Sequence, residues 1–172
     1  MGPVKQEAAW SLAKPHHSHE LQQFVCTTPP KKLHDKYRGN YHPKPWALEV
    51  QSAIRNIRPH GRDTNDLIRL GHVDGRLAHV SELFFSREER TLAILLIATH
   101  REFQGTGLGA QSLEKTVELF NKLRDDNHAD ELVARIHQSN DPSKGLFEKA
   151  GFAPGGSVSK DSDYVFWMLA DG

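Results

Sequence analysis

The residues that could do chemistry are concentrated where an apolar stretch, Leu92 to Thr99, leads into a helical pattern. Between the two stands HREFQGTGLGA, residues 100–110, with glycines at positions 105, 107 and 109. Glycine permits positive φ and removes side chains, so successive backbone amides can point at one ligand. The helix that follows adds unpaired N–H groups and the positive end of its dipole. This combination predicts an anion site, and a diphosphate is its natural ligand.

Two known loop patterns compete for this stretch. Gly105 to Ala110 fits the dinucleotide pattern GxGxxA, which needs a parallel βαβ unit and an acidic residue at the end of the next strand. The next apolar stretch, ELVARIHQSN at 131–140, ends in Gln, Ser and Asn, and hairpin patterns precede the loop. These features disfavour the dinucleotide pattern and therefore NAD as the ligand of this loop. The alternative pattern, Q/R-x-x-G-x-G/A, is matched in full by QGTGLG, residues 104–109.

A second motif, NDPSKGLFEKAGF, occupies residues 140–152. It follows the pattern N-x-x-A-x-x-L-Y-x-K-x-G-F, with Ser143 for the small residue and Phe147 where tyrosine is usual. The positions that match it are Asn140, Leu146, Lys149, Gly151 and Phe152. In this order, the two motifs make the chain resemble the GNAT N-acetyltransferase superfamily, and the resemblance covers about residues 66–169.

The resemblance implies an α/β (α+β) fold with a GNAT-type mixed, mostly antiparallel sheet, flanked by helices and splayed between the strands 92–99 and 131–138. It implies acetyl-CoA as the co-substrate, lying in this split. The residues that it implies for binding acetyl-CoA are Ala98, Thr99, Gln104, Gly105, Thr106, Gly107, Leu108, Gly109, Ala110, Asn140 and Phe147. The backbone N–H of Thr99 would be the oxyanion donor. Asn140 would hold the pantetheine arm or cap the next helix, and both roles stay open.

The acid and the base that amine acetylation requires are not evident. Related enzymes offer a tyrosine hydroxyl to the departing thiolate at the position of Phe147, so here water or another donor protonates it, or catalysis has been lost. Tyr164 is an outside candidate for the acid. Glu82 is the best candidate for the base, because the following strand contains no carboxylate, and His79 and His100 are weaker candidates.

The acceptor is an amine that the sequence does not identify. A lysine amine, with a pKa of about 10.4, must lose a proton before it attacks, whereas an α-amine near about 8 is partly neutral and suits a site short of bases. We predict an N-acetyltransferase that acts on a primary amine of a small molecule or of a peptide or protein, by direct attack in a ternary complex. HELQQFVC, residues 19–26, faintly resembles toxin-type GNAT proteins that acetylate aminoacyl-tRNA. That activity is one alternative, and a non-catalytic acyl-CoA-binding or interaction module is another.

Hydrophobic periodicity predicts the elements that position these motifs. Helices are predicted within 44–59, 107–123 and 141–150, and strands at 66–73, 76–85, 91–99, 131–138 and 164–169. LQQFVC, residues 21–26, predicts a short strand in an otherwise irregular N-terminal part. We expect one domain, 1–172, in which residues 1–65 shape the acceptor side and residues 66–169 bind acetyl-CoA.

Composition narrows the classes of partner. The chain has 22 Lys/Arg and 22 Asp/Glu, and only the excess of seven basic over three acidic residues in 1–45 weakly supports a nucleic-acid partner. Cys26 alone excludes a disulfide framework, and HHSH, residues 16–19, lacks the spaced cysteines or carboxylates of a metal site, so we expect no metal. No signal peptide or membrane segment is evident, which predicts a cytoplasmic protein without a membrane partner. The resemblance leaves a homodimer open.

Overall fold

The computed structural model describes residues 4–28, 42–60 and 63–171. The strands are β1 (Ala9–Leu12), β2 (Asp66–Val73), β3 (Arg76–Ser86), β4 (Thr91–Thr99), β5 (Glu131–His137), β6 (Phe152–Ser157) and β7 (Tyr164–Leu169). The helices are α1 (Ser18–Gln22), α2 (Pro45–Arg55), α3 (Leu108–Asp125) and α4 (Asp141–Lys149), with 3-10 turns at Pro15–His17 and Arg101–Phe103. None of the helices in these described ranges is long and apolar enough to cross a bilayer.

The strands form one seven-stranded sheet in the order β1-β2-β3-β4-β5-β7-β6. The β4–β5 pair is parallel, whereas β1–β2, β5–β7 and β6–β7 are antiparallel. The pairs of β4 with β5 run from Thr91↔Glu131 to Ile94↔Ala134, and both strands continue beyond the last pair. A mixed, mostly antiparallel sheet is therefore confirmed, and the pairing ends on the strands where the split was predicted.

The hairpin between β2 and β3 turns at Asp74 and Gly75, whose φ values are 50° and 76°. Two successive residues with positive φ are typical of a type I′ turn, which matches the right-handed twist of the two strands and favours Asp-Gly. The hairpin predicted from VDG is thus confirmed. The turn brings β3, with His79 and Glu82, beside β2.

The described residues fall into two compact units. The first comprises the described parts of Met1–Arg62, Ile68–Val80 and Ile97–Leu108, and the second those of Asp63–Leu67, Ser81–Leu96 and Gly109–Gly172. The core of the first unit includes the fully buried Leu21, Phe24, Ile54 and Leu70. The core of the second includes Leu83, Leu92, Leu113, Leu132 and Phe147. Burial of such side chains, at about 25 cal/mol per Å² of apolar surface, is the main driving force for folding each unit.

One local prediction is wrong, and two strands of the structure were not predicted. LQQFVC does not form a strand: α1 covers its first residues, because Leu21 and Phe24 lie three positions apart and both point into the core. β1 was not predicted, since four residues with mostly exposed side chains carry no clear alternation. β6 was not predicted, because its sequence FAPGGS contains proline and two glycines, which are rare in strands. The predicted irregular stretch at 27–45 lies mostly outside the described residues.

Candidate functional site

The loop after β4 is held by backbone hydrogen bonds within the first unit. The N–H of His100 donates to the carbonyl of Ala78 on β3 at 2.8 Å, and the N–H of Arg101 donates to the carbonyl of Val25 at 2.8 Å. The side-chain NH₂ of Gln104 donates to the carbonyls of Cys26, at 2.9 Å, and Thr99, at 3.1 Å. The first residue of the QGTGLG motif therefore fixes the loop against two other segments of the chain.

Gly105 and Gly107 have positive φ, 78° and 88°, a region that disfavours residues with a Cβ. Among the described residues, a Cβ at Gly105 would meet no atom within 4 Å, and one at Gly107 would meet only Cγ of Lys5 at 3.7 Å. Both glycines are exposed. Between them, the hydroxyl of Thr106 donates to the carbonyl of Phe103 at 2.6 Å, so it points back into the turn. Within the part of the chain that the structure describes, the space in front of the two glycines is therefore open, as a loop that receives a ligand requires.

Gly109 has a different reason to be glycine. A Cβ there would lie 3.1 Å from Cδ2 of Leu146, a residue of α4 in the same unit. Glycine thus allows the start of α3 to approach α4 closely. Leu108, the first residue of α3, is buried, whereas Ala110 is exposed. The pattern correctly placed all three glycines in one loop, but they are required by two kinds of constraint.

Thr99, the last residue of β4, is hydrogen-bonded to a buried histidine. Its Oγ1 lies 2.9 Å from Nδ1 of His79 on β3. His79 is 0% exposed, and within the described part of the chain its Nε2 has no hydrogen-bond partner. Burial, followed by the charge of Arg69, lowers the pKa of His79 to about 3. The imidazole is therefore neutral at physiological pH and is a poor base.

β1 helps to bury His79. Trp10 pairs with Gly71 of β2, and a Cβ at Gly71 would lie 2.9 Å from Cζ3 of the Trp10 ring. The edge of the same indole contacts His79, with 5.5 Å between ring centroids. Trp10 was not among the predicted functional residues. A glycine inside the strand pattern DLIRLGHV was the one signal, because such a glycine often marks the close approach of another group.

The backbone of Thr99 is oriented away from β3. Neighbouring residues of a strand direct their N–H groups to opposite sides, and the N–H of His100 bonds to β3. The N–H of Thr99 therefore points to the other side of β4. Both Ala98 and Thr99 are half-buried. An amide at the end of a strand with this orientation is suited to donate to a bound group.

Other predicted residues lie in the second unit. Asn140 caps α4: its side-chain carbonyl accepts from the N–H of Ser143 at 3.3 Å, so only its NH₂ group is left to donate to a ligand. Phe147 is 1% exposed and packs edge-on against Phe152, with 5.0 Å between ring centroids. The missing tyrosine hydroxyl thus corresponds to a fully buried ring. Glu82 lies on β3 and is half-buried.

The remaining candidates for proton transfer are engaged or have shifted pKa values. The Nδ1 of His100 accepts from the N–H of Glu102 at 3.3 Å, and burial lowers the pKa of His100. The guanidinium of Arg135 lies over the ring of Tyr164, with its Cζ 4.3 Å from the ring centroid.

Cys26, the one cysteine of the sequence, is not set up as a nucleophile. Its thiol donates to the carbonyl of Ala47, and burial raises its pKa to about 11, so it is a poor nucleophile at neutral pH.

Residues 32–152 match the family model described as the acetyltransferase (GNAT) family. Comparison with curated proteins gives no significant match.

Solved structures give the same fold. An acetyltransferase from Bacillus subtilis in complex with CoA is 18% identical, covers 95% of this chain and 98% of its own, and has a TM-score of 0.61. The ribosomal-protein-S18-alanine N-acetyltransferase from Escherichia coli is 15% identical, covers 95% and 93%, and has a TM-score of 0.61. A candidate streptothricin acetyltransferase from Bacillus anthracis, solved with acetyl coenzyme A, is 18% identical, covers 64% and 65%, and has a TM-score of 0.54.

The match to the family model extends over most of the chain and contains both motifs. It confirms the predicted class of enzyme, an acetyltransferase, and the structural neighbours confirm the predicted type of fold. The chain belongs to the GNAT family of acetyltransferases.

Proposed function

We propose that this protein transfers an acetyl group from acetyl-CoA to a primary amine of a small molecule, peptide or protein, by direct attack in a ternary complex. The observation that carries the proposal is the exposed loop at Gly105 and Gly107, which is held open after β4 and precedes the 18-residue helix α3. Two structural neighbours were solved with CoA or acetyl coenzyme A, which supports acetyl-CoA as the co-substrate.

In this proposal the diphosphate of acetyl-CoA binds the backbone amides from Gly105 to Ala110. Gln104 acts by fixing the loop, because its NH₂ group already donates to two carbonyls. The pantetheine arm pairs with the backbone of Ala98 and Thr99. The contacts proposed for Asn140 and Phe147 are based on the second motif alone.

The backbone N–H of Thr99 is the proposed oxyanion donor. A donor aimed at the developing negative charge lowers the barrier by on the order of 3 kcal/mol. His79 acts as a positioning residue, because its hydrogen bond to Oγ1 fixes the side chain of Thr99. An unpaired buried nitrogen reduces stability, and such local costs are typical of functional sites.

Proton transfer requires groups other than His79 and Phe147. His79 stays neutral to about pH 3, and Phe147 has no proton to give. We propose Glu82 as the general base that accepts a proton from the attacking amine. The departing thiolate of CoA then takes its proton from water or from another donor, with Tyr164 as the outside candidate.

The acceptor is proposed to be an amine with a low pKa, such as an α-amine. A site with few bases favours an amine that is partly neutral at pH 7. The E. coli neighbour is named for an alanine of ribosomal protein S18, and the B. anthracis neighbour for streptothricin, so this fold serves acceptors of both sizes. Within a single domain, residues 1–65 are proposed to shape the acceptor side.

The first experiment is calorimetric titration of the purified protein with acetyl-CoA, free CoA and NAD. We expect one acetyl-CoA site per chain and no binding of NAD. Screening of α-amines, lysine peptides and aminoacyl esters by CoA release would follow. No binding of either CoA form would contradict the proposal, and binding without turnover on any amine would favour a non-catalytic acyl-CoA-binding module. Turnover confined to aminoacyl esters would favour an activity on aminoacyl-tRNA.

A further inference from the structure

Three side chains in the first unit bring potential metal ligands together. One ligand atom each from His17, Glu20 and His72 lies within 4.8 Å of the other two, and all three side chains are half-buried. Within the cluster, Nε2 of His72 lies 2.9 Å from Oε1 of Glu20. Two imidazoles and one carboxylate are a ligand set that suits Zn²⁺ and leaves a fourth position for water.

The spacing of the two rings agrees with such a site. The ring centroids of His17 and His72 are 5.7 Å apart. With Zn–N bonds of about 2.0–2.1 Å in tetrahedral geometry, two ligating imidazoles have ring centres about 5 Å apart. The observed separation is within about 1 Å of that value.

The chain builds this cluster from three elements. His17 ends a 3-10 turn, Glu20 lies three residues later in α1, and His72 lies on β2, where it pairs with Ala9 of β1. The HHSH stretch contributes only one of its three histidines. The ring of His16 lies against that of His17, tilted by 50° with 4.0 Å between centroids, and His19 contacts the amide of Gln23. His72 lies more than 50 residues further along the chain, so the HHSH pattern by itself does not indicate it.

Two hydrogen bonds must change when an ion binds. The N–H of Lys14 donates to Nδ1 of His17 at 2.8 Å, so Nδ1 carries no proton and offers a lone pair. An ion at Nδ1 would replace that N–H, which is exposed and can turn to water. The proton between His72 and Glu20 must also leave, because metal ligands bind in their deprotonated forms.

We propose that His17, Glu20 and His72 form a Zn²⁺ site that joins α1 to β2, and that this site is separate from the loop proposed for acetyl-CoA. The ligand chemistry and the ring spacing carry the proposal. This proposal departs from the sequence-based expectation that no metal is bound.

The test is calorimetric titration of the full chain, treated with EDTA and dialysed, with ZnCl₂ and in parallel with MgCl₂. We expect one Zn²⁺ per chain, no Mg²⁺ binding, and a rise of the melting temperature with Zn²⁺, because an ion that binds only the folded state stabilises it. His72→Ala and Glu20→Ala are each expected to weaken Zn²⁺ binding at least about 100-fold, since loss of even an outer partner of a ligand costs 10–100-fold.

Two control variants separate this site from nonspecific binding by histidines. His128→Ala removes an exposed histidine of the second unit, and we expect it to leave Zn²⁺ binding unchanged. The double variant His16→Ala/His19→Ala removes the other two histidines of HHSH and is expected to change the affinity for Zn²⁺ less than threefold. The proposal is wrong if Zn²⁺ does not bind, if His72→Ala binds like the original protein, or if the double variant loses as much affinity as His72→Ala.

Discussion

The two motifs that indicate the family are used differently in this molecule. In the loop at 104–109, Gly105 and Gly107 are exposed, have positive φ and leave open space in front of them. In the segment 140–152, Asn140 caps a helix, Phe147 is buried, and Gly151, with φ of 92°, ends α4. A motif residue can therefore face open space or take part in the packing of the fold, and only the structure distinguishes the two.

The largest effect is expected from Gly107→Glu, which tests whether the loop is open for a ligand. A carboxylate at this position would repel a diphosphate and occupy its space, so acetyl-CoA affinity should fall at least about 100-fold. Gly75→Glu is the matched control, because Gly75 also has positive φ and open space but lies in the β2–β3 turn. Calorimetry should show unchanged affinity for the control. Equal losses in both variants would mean that backbone strain, and not the position of the loop, is responsible.

The second largest effect is expected from the protonation of His79, whose Nδ1 is hydrogen-bonded to Thr99 at the end of β4. The unfolded imidazole takes up a proton below about pH 6.5, whereas the folded one does not until about pH 3. Its contribution to stability is therefore complete above pH 6.5 and is lost as the pH falls toward 3. As the pH is lowered from 6 to 4, protonation of His79 in the unfolded state should reduce the free energy of unfolding by roughly 1 kcal/mol per pH unit. Urea denaturation at each pH measures this free energy.

His79→Asn is the control for this titration. Asparagine can still hydrogen-bond to Oγ1 of Thr99 but does not titrate. The pH dependence between 6 and 4 should become flatter by the amount stated, and a slope as steep as that of the original protein would show that other groups cause it.

Phe147→Tyr tests the packed side of the comparison. A hydroxyl added to this ring, which is 1% exposed, enters a packed site, so the free energy of unfolding should fall by about 1–3 kcal/mol. Turnover per folded molecule should stay the same or rise, because tyrosine restores a group that can protonate the thiolate. Phe152→Tyr, on the ring that packs against it, is the matched control for stability. An unchanged melting temperature together with lost turnover would contradict the packing role.

The smallest effect is expected at Asn140, where two variants distinguish helix capping from ligand binding. Asn140→Ala removes the bond to Ser143 and should cost about 1 kcal/mol of stability. Asn140→Asp keeps a cap oxygen but has no NH₂ group. If the NH₂ group binds pantetheine, the Asp variant should retain stability and lose acetyl-CoA affinity; full affinity would leave Asn140 with the cap alone.

Sequence patterns located the parts of the fold that are locally determined. β4, β7, the β2–β3 hairpin and α2 to α4 were predicted within a few residues, because their periodicity and turn residues agree with the structure. The two motifs were also placed on the correct elements.

Long-range contacts could not be predicted in this way. Nothing local in AWSL shows that Trp10 pairs with Gly71 and covers His79, and nothing in LIATH shows that Thr99 meets that imidazole. The low pKa of His79 follows from burial, which depends on the packing of three strands. A short strand of exposed residues and a buried polar pair are both products of tertiary structure.

The way in which the loop is anchored limits its use outside this protein. Residues 100–106 take support from Ala78, Val25, Cys26 and Gln6, whose N–H donates to the carbonyl of Thr106 at 3.2 Å. These partners are far from the loop along the chain, so its shape is not encoded by the motif itself. A peptide with the sequence HREFQGTGLGA, or a graft of it onto another scaffold, would lack these supports and would not adopt the same loop conformation. A designer who wanted the site would need to transfer the β3–β4 pair and the segments around residues 6 and 25 with it.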